Sequence, residues 1–255
     1  MNAPYIPGGW QSRFNRQISR FLARDRFDLD LDHGIISISF DDFPKSAATV
    51  GAAALEARGW KGTYYTAAGY LDQTTHHGVM FDCGDLARLE AAGHEIACHT
   101  YEHLDCAKAS ANEVLRSLEH NEKALRELGV KQEMTSFAYP YGETSLGIKT
   151  ALASRFSTAR GVRPAVMRVQ ADRNLLPAVG VDGGETGIAR AIEAAEALTH
   201  HPGWLIFYAH DIQDDPTEWG CTPEQFERLL DVIERSGSEV LTVRDAYQTI
   251  TGQPA

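Results

Sequence analysis

Apolar and polar positions along this chain fall into short and long blocks. Short runs rich in β-branched and aromatic residues predict strands at 35–40 (IISISF), 62–67 (GTYYTA), 94–98 (HEIAC), 135–139 (TSFAY), 155–159 (RFSTA), 176–181 (LPAVGV), 204–209 (WLIFYA) and 239–243 (EVLTV). Longer segments with helical periodicity separate them. Ser110 and Glu113 make a capping box ahead of an apolar stripe at Val114, Leu118, Leu125 and Leu128, and Gly129 stands where the helix should stop. Thr222-Pro223-Glu224-Gln225 repeats that opening, with proline at the first helical position and Gly237 at the far end. Alanine-rich segments at 46–58, 84–92 and 186–199 fill other crossovers.

Strands alternating with helices through short connections predict βα units around a parallel sheet. Seven or eight such units in 255 residues predict an α/β fold of one domain, a distorted (β/α) TIM-like barrel over 35–250, closed or nearly so. Residues 1–34 form an N-terminal extension. With Trp10 and several arginines, it is a candidate for covering the barrel or pairing two copies.

In a parallel barrel, the loops at the C-terminal strand ends build the active site. Asp41-Asp42, His99, Tyr139-Pro140-Tyr141, Arg160, Asp182 and His210 all stand at predicted strand exits. His99 and His103 are four residues apart, so on one helical turn or a tight loop both imidazoles face the same way, as paired metal ligands must. Asp41 and Asp42 leave a strand end in different directions. One can hold a metal while its neighbour accepts a proton from the activated water. An isolated Asp-Asp before Phe-Pro also reads as a helix cap, and the pairing with the two histidines is what favours the metal reading. His210, after an apolar run, suits a general acid for a leaving amine. A closed zinc site from Cys98, His99, His103 and Cys106 is disfavoured, because residues 98 and 99 diverge and no CxxC pair supports it. The His76-His77 and His200-His201 pairs lie in loop-like sequence and read as solvated.

Composition narrows the partners. The net charge of −11, from 35 acidic against 24 basic residues, gives no field that would gather nucleic acid. Four scattered cysteines read as reduced thiols rather than a disulfide framework. No apolar stretch matches a signal peptide or a membrane span, so a cytoplasmic protein without stable membrane insertion is expected. A basic amphipathic helix over 12–27, with Arg13, Arg16, Arg20, Arg24 and Arg26, reads chiefly as a solvated surface segment.

These residues resemble the polysaccharide deacetylase family, the NodB-homology group of carbohydrate esterase family 4, from about residue 35 to about 245. Ser39-Phe40-Asp41-Asp42 is similar to its (T/S)FDD motif and His99-Thr100-Tyr101-Glu102-His103 to its H(S/T)xxH motif. Tyr139-Pro140-Tyr141-Gly142 is similar to its third motif, and His210 sits where its final histidine is expected. The resemblance implies a NodB-homology barrel and a metal-dependent deacetylase. Asp42, His99 and His103 would hold a divalent metal, commonly zinc, with Asp41 as base and His210 as acid. The Tyr141 backbone N–H would support the oxyanion. Tyr139, Pro140, Arg160, Asp182 and Trp204 are the candidates for contacting substrate.

The chain departs from the family pattern in three places. Ala138 stands where an arginine should brace the catalytic aspartate, and Arg160 is the candidate replacement. Phe43-Pro44 replaces the usual glycine after the first motif. The fourth motif is not evident, and the last reads Tyr208-Ala209-His210. The expected substrate is an acetylated amino sugar, a saccharide precursor or another small acyl amide. A cyclic amide hydrolase and a non-catalytic saccharide-binding barrel are the alternatives.

Overall fold

A computed structural model describes Ser19 and residues 21–253. Much of the basic segment at 12–27, including Arg13, Arg16 and Arg20, lies outside the described residues. The central strand β2 (Ile35–Asp41) is buried along its whole length, as expected for a strand covered on both faces. The first strand, β1, is Arg26–Asp28.

On one side β2 pairs in parallel with β11 (Trp204–Ala209), Ile35 opposite Trp204 and Phe40 opposite Ala209. On the other it pairs with β3 (Thr63–Thr66), Ser39 opposite Thr63. The parallel order continues through β6 (Glu95–Cys98), β7 (Ser136–Ala138) and β8 (Thr158–Arg160). At the opposite end β10 (Val179–Gly180) flanks β11. A parallel bridge from Arg160 to Leu176, just before β10, brings the two ends of the sheet together. The sheet therefore curls into the expected barrel.

The helix signals act as the sequence implies. Ser110 and Glu113 form a reciprocal capping box on the helix Ala111–Glu127, and Thr222 and Gln225 form one on Pro223–Ser236, which Gly237 ends with φ 69°. Elsewhere tertiary context moved the boundaries. The strand expected at 155–159 runs from Thr158 to Arg160, because the helix Leu146–Leu152 and its following turn occupy the preceding residues. The strand expected at 239–243 stops at Val240, since Thr242 accepts a hydrogen bond from the Asp245 N–H and caps the helix Val243–Thr251. The extension is partly tied to the barrel: β1 pairs antiparallel with β9 (Gln170–Asp172), and the buried Lys149 amine donates to the Ser19 and Leu22 carbonyls and pairs with Asp172. Among the described residues no helix is long and apolar enough to cross a membrane.

Candidate active site at the C-terminal rim of the barrel

Asp41 ends β2, and the chain then turns through two left-handed residues, Asp42 at φ 58° and Phe43 at φ 65°. That turn swings the two carboxylates apart. Phe43 is held by stacking on Phe81, with ring centroids 4.5 Å apart. His99 follows β6, and the loop to His103 is a tight turn rather than a helix, with left-handed residues at Thr100 and His103. The Leu104 N–H donates to the Thr100 hydroxyl, and the Gly69 N–H donates to the Tyr101 carbonyl at 2.8 Å. A Cβ at Gly69 would lie 2.6 Å from that carbonyl oxygen, so only glycine permits the approach. Of the seven non-glycine residues with positive φ among the described residues, five are Asp42, Phe43, Thr100, His103 and Tyr141. Strained backbone gathered at one rim is typical of functional sites.

The ligand atoms converge. Asp42 Oδ1 lies 3.6 Å from His99 Nε2 and 3.4 Å from His103 Nε2. These separations are too long for good hydrogen bonds, and Asp42 Oδ1 is a buried oxygen with no hydrogen-bond partner among the described residues. A tetrahedral metal with bonds of about 2.0–2.1 Å would set its ligands about 3.3 Å apart. The three side chains thus have the spacing of a metal site. The His99 and His103 ring planes meet at 59°, so both can aim at one ion. His99 Nδ1–H donates to the Ala138 carbonyl at 2.8 Å, which leaves Nε2 with its lone pair inward. Burial pushes the His99 imidazole down to about 4 and keeps it neutral, as a ligand must be. Burial would raise the Asp42 carboxyl, but the surrounding His103, His77 and His99 imidazoles hold it well below the usual carboxylate range.

Asp41 has a different environment. Arg160, fully buried, places its guanidinium on Asp41 Oδ1 and over the rings of Tyr65 and Tyr208, while its Nη1 donates to the Gly161 carbonyl. Burial works to raise the Asp41 carboxyl, yet Arg160, His99 and His210 together hold it below its ordinary value. Ala138 packs against Tyr65 and Ala97. The cation missing there is supplied one strand later.

His210, at the end of β11, contacts the Trp219 carbonyl through Nδ1 at 3.2 Å, and burial lowers its proton affinity. The Tyr141 ring stands edge-on to His103 at 4.5 Å. Asp182 is a rim residue 3.5 Å from Arg190.

Three residues expected to contact substrate are corrected by their burial. Trp204 is fully buried at the opposite, N-terminal end of β11, where its indole N–H donates to Ser37 Oγ. Tyr139 is 1% exposed and donates its hydroxyl inward to the Asn174 carbonyl. Arg160 is committed to Asp41. Pro140 is also buried, and it opens the turn that sets Tyr141 at φ 60°. His77, expected to be solvated, is buried instead. It is 3% exposed, with Nε2 3.5 Å from Asp42 Oδ2 and Nδ1 3.5 Å from Asp211 Oδ1. Burial opposes its protonation, but those two carboxylates prevail and raise it to about 9. No local pattern marks it, because its partners come from distant strand exits.

Cys98 and Cys106 are buried in an apolar cluster and belong to no metal-ligating group among the described residues.

The polysaccharide deacetylase family model matches residues 29–155. A comparison with curated proteins finds no match. Among solved structures, the chitin deacetylase of the fungal pathogen Colletotrichum lindemuthianum aligns with a TM-score of 0.62 at 15% identity, covering 86% of this chain and 89% of that one. Bacillus subtilis PdaA, a family 4 carbohydrate esterase, aligns at 0.57 and 14% identity over 93% and 88%. A CE4 family pseudoenzyme from Bacillus anthracis aligns at 0.62 and 12% identity over 87% and 68%. At these identities the likeness is one of fold.

Proposed function

Because this chain belongs to the polysaccharide deacetylase family, we propose that it is a metal-dependent amide hydrolase that removes an acetyl group from an amino sugar or a related small saccharide precursor. The observation that carries the reading is the placement of Asp42 Oδ1 opposite His99 Nε2 and His103 Nε2, with Asp41 and His210 at the same rim.

Asp42, His99 and His103 would hold the ion, and zinc suits this mixed nitrogen and oxygen donor set. When bound, a divalent ion there polarises the amide carbonyl and acidifies a water. Asp41, kept ionised by Arg160, accepts the proton of the attacking water. His210, in its imidazolium form, delivers a proton to the departing amine nitrogen, which otherwise leaves as a poor anion. The Tyr141 backbone N–H supports the oxyanion, and its exposed ring bounds the entrance beside His103. Asp182, just beyond β10, would meet the substrate from the same rim, whereas Pro140 shapes the turn that carries Tyr141. The retained acid and base groups support turnover over saccharide binding alone.

The test is to load the protein with zinc and incubate it with acetylated amino sugars, their nucleotide-linked forms and cyclic amides. Released acetate with a new primary amine is the expected result. Ring opening without acetate would reassign the protein to cyclic amides, and no turnover of any substrate by metal-loaded protein would refute the hydrolase reading.

A further inference from the structure

His77 lies at the tip of the hairpin formed by β4 (Thr74–Thr75) and β5 (Gly78–Val79). A hairpin tip is ordinarily solvated. Here it is turned into the rim, and the imidazole is buried between two carboxylates from different strand exits. Asp42 divides its oxygens: Oδ1 faces His99 and His103, and Oδ2 faces His77. Asp211 is itself fixed, accepting from the Thr217 hydroxyl, the Thr217 N–H and Gln213 Nε2. The far face of the loop reaches His210, since Trp219, whose N–H donates to the Thr217 hydroxyl, offers its carbonyl to His210 Nδ1. The His77 ring also stacks on the His210 ring, with centroids 4.7 Å apart and planes within 13° of parallel.

Asp42, His77 and His210 lie close enough together to suggest a second metal centre. The ring geometry speaks against it. An imidazole lone pair lies in the plane of its ring, so one ion cannot lie in the planes of two nearly parallel, stacked rings. The His99 and His103 planes, by contrast, converge.

We propose that His77 is a positioning residue that stands in polar contact with both Asp42 and Asp211, keeps Asp42 Oδ1 turned toward the metal-binding histidines, and holds His210 by stacking. The inference rests on the metal-dependent reading above. Outer-shell partners of a metal ligand fix its orientation, and their loss typically weakens metal binding about 10–100-fold.

Three variants test this: His77→Ala, His77→Phe, which keeps a ring for stacking but has no nitrogen, and Asp211→Asn, which loosens His77 from its far side. Cobalt affinity by chelator competition, the visible spectrum of the cobalt-loaded protein, kcat and KM are measured on variants whose circular dichroism matches the parent. The expected result is cobalt binding about 10–100-fold weaker in all three, an altered cobalt spectrum, and a fall in kcat with little change in KM. The double variant His77→Ala/Asp211→Asn should lose no more than the worse single variant. Parent-like affinity and spectrum in folded His77→Phe would make the residue mere packing and overturn the proposal, as would parent-like values in Asp211→Asn. A parent protein that binds no cobalt would instead overturn the metal-dependent reading on which the proposal rests.

Discussion

Replacing Arg160 with methionine leaves the Asp41 carboxylate in a site with almost no water. Asp41 is 4% exposed and Arg160 not at all, and methionine retains much of the side-chain volume beside Tyr65 and Tyr208. Breaking a buried ion pair by removing one partner costs about 3–5 kcal/mol. The stranded charge has a ceiling, because Asp41 can protonate instead: from an ordinary value of about 3.9, that costs about 4.2 kcal/mol at pH 7 and about 1.5 kcal/mol at pH 5. The sign follows. In the parent, Asp41 is held below its unfolded value, so its contribution is present above about pH 4 and lost as pH falls through the lower folded value. In the variant the carboxyl is raised, so its penalty grows with pH. Urea unfolding in the presence of a chelator should therefore show a parent-to-variant gap of about 3–4 kcal/mol at pH 7 that narrows by about 2–3 kcal/mol at pH 5. In an Asp41→Asn background the Arg160→Met change should cost much less. A gap under about 1 kcal/mol at pH 7, or one of the same size at both pH values, would refute the buried-pair reasoning.

Asp41→Asn should lower acetate release by about 10²–10⁴-fold while metal content, read by inductively coupled plasma mass spectrometry, stays at the parent level. Asp42→Ala and His103→Ala should each reduce the bound metal measured by equilibrium dialysis, and unchanged stoichiometry in either would remove that residue from the ligand set. Trp204→Ala should cost about 3–5 kcal/mol in stability by leaving a cavity in the apolar cluster at the N-terminal end of the barrel. Its turnover per folded molecule should stay within about twofold of the parent, and a selective rise in KM would return Trp204 to the substrate site.

Much of the barrel was legible because burial writes itself into local pattern. The run IISISF is apolar where both faces are covered, and the capping boxes at Ser110 and Thr222 mark helix starts through bonds only three residues long. The failures arose where a short segment had two local readings. Residues 155–156 carry strand-like character but are taken up by the end of the turn after Leu146–Leu152 and the irregular residue beyond it, and Thr242 serves as a helix cap in place of a strand residue. Trp204, expected at the substrate, stands at the start of its strand and so at the end of the barrel opposite the site.

For the site, the sequence alone determined which residues stand at strand exits: the aspartate pair, the histidine pair, Tyr141 and His210. These depend on order along the chain, which fold class turns into position. Tertiary structure decided their partners. Arg160, the candidate to which the gap at Ala138 pointed, meets Asp41 across 119 residues, while His77 reaches Asp42 and Asp211 from a hairpin that no periodicity distinguishes from an ordinary surface turn. Such contacts depend on barrel closure and strand register. No local pattern carries them, because each partner satisfies its own segment equally well before the sheet curls and buries the charge.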